Sequence, residues 1–369
     1  MLTYLFSKQF DKSLQHGQVA LALARESDDR EQLAFVLNDF CRLYTCLGEF
    51  DQAHASIREA RELWRALDNQ VMLADSLGSE AEAYFNAAKY EASLECSQQA
   101  LEICETTRNL WGQSYDRMLM AFAYFENGQL GHGIQMAERS SQLADGAGLL
   151  ASSISMRSEL AWVYAYCGAF EKGYELVEQA SRVAEAKQPA WLAFPQAAKV
   201  RMHLLQGDLH SAERTLGNKL LQPTTIPYAR YTIFICLANI EFTVATGDYD
   251  KALSLADELL DEVAPLTRVD IPEVLRWKGL SLIGLNKADE ALPVLTNAYS
   301  LSKETDSYLW LWLILMDLAD VQSSLGNAKE AENHLMEAHR IAKQVAESLH
   351  EVGLTETFLN QPRVKKLIQ

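Results

Sequence analysis

Gly48-Glu49-Phe50-Asp51-Gln52-Ala53 recurs as Gly168-Ala169-Phe170-Glu171-Lys172-Gly173 and as Gly247-Asp248-Tyr249-Asp250-Lys251-Ala252. A glycine, then an aromatic flanked by acidic residues, reads as the end of one helix, a tight turn and the first turn of the next. The first position of this motif falls at Lys8, Gly48, Ala88, Gly128, Gly168, Gly207, Gly247, Asn286 and Gly326, so consecutive turns lie 40 or 39 residues apart. Nine repeats in one register follow.

The chemistry at fixed offsets supports that register. Six of the nine first positions are Gly and one is Asn, residues that tolerate the left-handed conformation at a helix C-terminus. Two positions on stand Phe10, Phe50, Tyr90, Leu130, Phe170, Leu209, Tyr249, Ala288 and Ala328, mostly bulky apolar groups that pack beneath the turn. Five positions on come Ser13, Ala53, Ser93, Gly133, Gly173, Ala212, Ala252, Ala291 and Ala331. All nine are small, which by chance has a probability on the order of one in 10⁵ to 10⁶. The reason is steric: a small residue there lets the second helix of each pair lie close against the first. Tyr44, Tyr84, Tyr124 and Tyr164 repeat four residues before the turn.

These residues carry a resemblance. The sequence resembles the tetratricopeptide repeat family, with its Tyr and small residue on the first helix, its Gly-acidic-aromatic-acidic turn and two small residues on the second. The period of 40 in place of the family's 34 implies about one and a half extra helical turns per repeat. HEAT repeats share the 40-residue period but lack the turn motif and the tyrosine ladder. The fold expected is therefore all-α, a right-handed superhelix of about nine helix pairs, the first of them truncated. Residues 1–349 form the array and 350–369 a capping tail. Because the first turn begins at Lys8, the chain starts inside a repeat, and helices or domains of the same polypeptide are expected upstream. Seven of the eight prolines fall between Pro189 and Pro293, which predicts less regular helices in repeats six to eight, with prolines in loops or first turns.

The chain carries 33 Lys and Arg against 50 Asp and Glu, a net charge of −17. That balance argues against nucleic acid or an anionic membrane as a direct partner and favours a basic one. No apolar run is long enough for a membrane span. Six scattered cysteines fit a reducing cytoplasm. No phosphate-binding loop, metal-spaced histidine pair or CxxC is present, the histidines read as solvated, and no acid and base converge. The expectation is a protein without catalysis, metal or cofactor.

In the family, first helices line the concave wall. Counting back 13, 10, 6 and 3 residues from each turn then places Phe35, Asn38, Arg42 and Thr45 in the groove from repeat two, and Tyr115, Met118, Phe122 and Phe125 from repeat four. Repeats five to seven add Ser158 and Trp162, then Phe194 and Arg201, then Phe234. Asn38, Arg42, Tyr115, Phe122, Phe125, Ser158, Trp162, Phe194, Arg201 and Phe234 are the candidate binding residues, aromatic and Arg groups being the usual hot spots of recognition. Trp310 and Trp312 are expected to close the last inter-repeat core. The resemblance implies a scaffold that holds a protein or peptide segment, as the C-terminal part of a larger bacterial signalling or transcription regulator. A sensor that binds a small molecule or signalling peptide and relays it to an upstream domain is the alternative.

Overall fold

Every twenty residues the backbone of the first half turns through positive φ: at Lys8, Asp28, Gly48, Asp68, Ala88, Arg108, Gly128, Gly148 and Gly168. The computed structural model, which describes residues 1–217, 219–222 and 229–368, places a 17-residue helix between each successive pair, from Phe10–Glu26 to Leu150–Tyr166. The extra length of the repeat is thus divided equally between its two helices. All of these turns but the one at Asp28 are closed by the same bond, in which an amide just past the turn donates to a carbonyl five residues back; Glu49 to Tyr44 (2.9 Å) and Ala169 to Tyr164 (2.8 Å) are two cases. Glycine is needed most at Gly48, whose φ of 72° coincides with a close approach to the Pro265 carbonyl. The N-terminal ends take side-chain caps at Asp29, Asn69 and Asn109, each accepting an amide three residues on. Replacing Asp29 by Ala is expected to cost about 1 kcal/mol of stability in a urea titration.

Among the described residues the chain forms twenty α-helices, one 3₁₀ turn and no strand. First helices are apolar almost all round and sit inside, as in Leu150–Tyr166, which is buried at nearly every position from Ser153 onward. Second helices bury a single stripe and form the outer wall; Phe50–Ala66 hides Ala53, His54, Ile57, Ala60 and Trp64. His54 is therefore not a solvated histidine: its ring lies 4.1 Å from that of Tyr84, and burial lowers its pKa. At the small position, a side chain on Gly133 would overlap the ring of Phe125.

Repeat six departs from this regularity. Its helices, Ala193–Leu205 and Leu209–Leu216, have 13 and 8 residues. Pro189 opens a 3₁₀ turn, and Pro195 and Pro272 occupy first turns. Pro293 instead lies six residues into the Ala288–Glu304 helix. Pro223 and Pro227 lie outside the described residues.

The superhelix winds tightly enough for one turn to rest on the previous one. The Tyr90 hydroxyl meets Ser307 Oγ at 2.7 Å, the Leu130 amide donates to Ser348 Oγ at 3.1 Å, and Ser348 Oγ donates to the Gly128 carbonyl at 3.1 Å. These partners are 217 to 220 residues apart, which at 40 per repeat is about 5.5 repeats per superhelical turn. Along the same seam the Asn86 carbonyl accepts from the Arg268 amide and Thr267 Oγ1. The C-terminal helices Thr355–Leu359 and Pro362–Ile368 continue it. Gln361 and Arg363 both donate to the Tyr166 carbonyl, and Phe358 is buried between Tyr166 and Trp312.

Candidate functional site

The first helices enclose an axial channel with two mouths and a closed centre. The mouth at repeats one to four is a cavity of about 460 Å³, and that at the C-terminal end one of about 330 Å³; the centre holds only about 20 Å³. A further 70 Å³ opens beside Phe122 and Tyr231.

The centre is shut by ion pairs. Arg230 reaches Glu159 at 2.8 Å, Glu126 at 3.1 Å and Asp270 at 3.2 Å while its guanidinium lies 4.5 Å from the ring centre of Phe122. Arg201 pairs with Glu241 at 2.7 Å and with Glu273, and it stacks on Trp162 at 4.5 Å and Phe234 at 5.2 Å. Five carboxyls thus share two guanidiniums in a nearly dry interior. Burial raises Glu126, Glu159, Glu241 and Glu273 above the ordinary carboxylate range, and the facing arginines offset part of that rise.

The N-terminal mouth is open and acidic. Asp75 holds Arg42 at 2.7 Å and accepts from Asn38, whose own carbonyl oxygen accepts from Ser76. Asp39 lies 3.5 Å from Arg42. Burial pushes Asp39 up to about 6, against the pull of Arg42. Asp116, only 2% exposed, is pushed by burial up to about 8. Trp111 stacks on Tyr115 with ring centres 5.2 Å apart, and the Tyr115 hydroxyl donates to Glu82. Phe35, Val71 and Trp111 are 40–47% exposed here, unusual for large apolar groups.

At the C-terminal mouth Arg276 pairs with Asp317 at 2.6 Å, and Arg363 lies over the rings of Tyr166 and Trp312.

Of the residues singled out from sequence, Asn38, Arg42 and Tyr115 meet at the N-terminal mouth. Phe122 lines the small opening beside it; Phe125, Trp162, Arg201 and Phe234 meet at the plugged centre, and Trp162 and Arg201 also border the C-terminal mouth. Ser158 and Phe194 stand apart from these cavities. The Ser158 hydroxyl is spent on the Ile154 carbonyl, and the Phe194 ring is stacked on Phe234 at 4.9 Å, with no exposed surface. Arg201, expected on a binding surface, is already held by two carboxylates. Trp310 faces the channel under Arg201, whereas Trp312 is in the core, its indole donating to the Tyr166 hydroxyl. Counting back from the turns misses Asp39, Asp116, Arg230 and Glu159. Trp111 and Arg230 lie 17 residues before their turns, one helical turn beyond the stripe counted. Charged residues inside otherwise apolar first helices are the signal that marks the rest.

Among the described residues no helix is long and apolar enough to cross a membrane, and no group of three His, Cys, Asp or Glu is arranged to hold a metal.

A family model described as the MalT-like TPR region matches residues 1–280. Among solved structures, a Rap protein complexed with competence and sporulation factor superposes with a TM-score of 0.58 at 15% identity, covering 86% of this chain and 99% of that one. The apo form of the quorum sensor NprR from B. thuringiensis gives a TM-score of 0.56 at 14% identity, covering 92% and 96%. No curated protein matches the sequence.

Proposed function

Since the chain belongs to the family of MalT-like TPR regions, we propose that it is a non-catalytic array that holds a protein or peptide segment on its inner wall, as the partner-reading part of a larger bacterial signalling or transcription regulator in the cytoplasm. The observation that carries this reading is the open N-terminal mouth. It offers about 460 Å³ lined by exposed aromatic and aliphatic groups with carboxylates among them, the mixture of apolar anchor and fixed charge that recognition sites use. A Rap protein complexed with competence and sporulation factor and the quorum sensor NprR share the fold, a precedent for signal-binding arrays of this kind. Basic segments are the partners the acidic wall favours.

The experiment is a selection of displayed random octapeptides on immobilised protein, with Val71→Ala/Trp111→Ala as counter-target. Both side chains are half exposed, so the variant keeps its fold. Sequences that bind the parent at least tenfold better than the variant are expected. If selected sequences fail to discriminate, or none emerges, the mouth is not a binding site.

The winding favours sensing over passive spacing. The N-terminal mouth is built from repeats one to four, and the turns of repeats two to four carry the seam to the next superhelical turn at Gly48, Asn86 and Gly128. A segment that spreads or tightens the mouth therefore acts on that seam, and small-angle scattering with and without a selected peptide reads the change.

A further inference from the structure

We propose that the N-terminal mouth is a subsite for the cationic side chain of an Arg or Lys residue, with Asp116 as the counter-charge and Phe35, Val71 and Trp111 as the walls along its aliphatic stem. This rests on the peptide reading above and names the chemistry of one subsite.

Asp116 is the reason. It lies on the Leu110–Glu126 helix at the floor of the cavity, 98% buried; the weak thiol of Cys104 is the neighbour its carboxyl shares a hydrogen bond with, and its Oδ2 has no other partner. A buried carboxyl oxygen left unmatched costs free energy that a cationic donor would recover. The other carboxylates of the mouth are engaged. Asp75 is taken by Arg42 and Asn38, and Asp39 faces Arg42 from the other side. Asp39 also feels the chain's N-terminal ammonium, so the two ionised carboxylates already have their cations and Asp116 is the carboxyl left without one. Space is provided as well: Gly78, on the neighbouring first helix, has no side chain where a methyl group would press on Asp116 Oδ1 and the Tyr115 ring. The walls suit a stem that is apolar until its end. The face of Trp111, backed by Tyr115, adds an attraction for the charge itself.

The protonation of the floor gives the proposal a signature. The groups that face Asp116 are Cys104 from the preceding second helix, Arg117 from its own helix and Asp75 from the adjacent first helix, with Asp39 and Arg42 across the cavity. Burial dominates them and holds the empty site's carboxyl protonated up to about pH 8. An arriving cation must expel that proton. Affinity therefore rises as pH increases toward 8 and levels off above it, and binding at neutral pH releases nearly one proton.

The test uses N-acetyl-Leu-Arg-Phe-amide, its Lys counterpart, and the citrulline version, which keeps the shape of arginine without its charge. Binding is followed by calorimetry in two buffers of different ionisation enthalpy. The Arg and Lys peptides are expected to bind at least tenfold more tightly than the citrulline peptide with net proton release. Asp116→Asn is expected to remove both the discrimination and the proton release. This change replaces a neutral acid by a neutral amide of the same shape and should leave the melting curve at pH 7 nearly unaltered. Trp111→Ala is expected to weaken all three peptides without abolishing the preference for charge. Equal binding of the Arg and citrulline peptides, or preference and proton release retained in Asp116→Asn, overturns the cation subsite while leaving the peptide-binding mouth standing. Absence of binding by any of the three overturns the subsite too. The display selection separately decides whether the mouth binds peptides at all.

Discussion

Replacing Arg230 by Met is expected to lower the unfolding free energy by about 3–5 kcal/mol, read from urea denaturation. Met fills much of the same volume, so the loss is electrostatic: it strands Glu126, Glu159 and Asp270, which come from three different repeats and meet only at this guanidinium. The pH dependence fixes the cause. A buried carboxyl whose pKa is raised contributes stability at acid pH and loses it as pH climbs through the raised value. Burial already raises Glu126 and Glu159, and without Arg230 they rise further. The variant's deficit should therefore be smallest at acid pH, where Glu126 and Glu159 are neutral in both proteins, and grow as pH climbs through the parent's raised values, for Glu126 from about 8 upward. A deficit below about 1 kcal/mol, or one that does not change with pH, would mean that Arg230 acts as filler.

Gly131→Ala is expected to prise the superhelical turns apart. Position 131 is the second residue of the Leu130–Gly146 helix, where Ala is locally better than Gly by up to about 1 kcal/mol. A methyl carbon needs about 3.5 Å to its neighbours, and here the Ser348 carbonyl stands well inside that distance. That oxygen is backbone and has no rotamer with which to yield. The net cost should be about 1–3 kcal/mol, with loss of the Leu130 to Ser348 bond and a larger radius of gyration by small-angle scattering. Since the local helix is strengthened, any destabilisation comes from the seam alone. A scattering curve identical to that of the parent would show that the two turns do not touch in solution.

The repeats were legible in the sequence because each depends on something a residue must do locally. Gly48 and Asn286 mark left-handed turns, and Gly133 and Gly173 mark places where a larger side chain would meet the facing helix. The winding left no such mark. It is the sum of small rotations between neighbours, and the residues it brings together, such as Tyr90 and Ser307, stand at positions with no shared motif. The same holds for the channel. Counting back from the turns reaches Asn38, Arg42 and Tyr115, but what happens in the middle depends on how far the next turn closes over it. The aromatic set around Trp162 and Phe234 is divided by Arg201 and its two carboxylates, which occupy the centre and leave Trp162 and Arg201 on the edge of the C-terminal mouth. Asp116 carries only the mark of a charge inside an otherwise apolar first helix; the depth of its burial comes from Gly78 and Cys104 on other helices.

An open solenoid can unravel one repeat at a time, because each repeat touches only those beside it. Bonds between residues 217 to 220 apart take that freedom away here. The terminal repeats are moored to the middle of the chain, so fraying from the C-terminal end has to break contacts with repeats four and five before the first helix pair is free. Unfolding should then approach a single concerted transition, and refolding should be slow for an all-helical chain, because its last contacts join segments far apart in sequence.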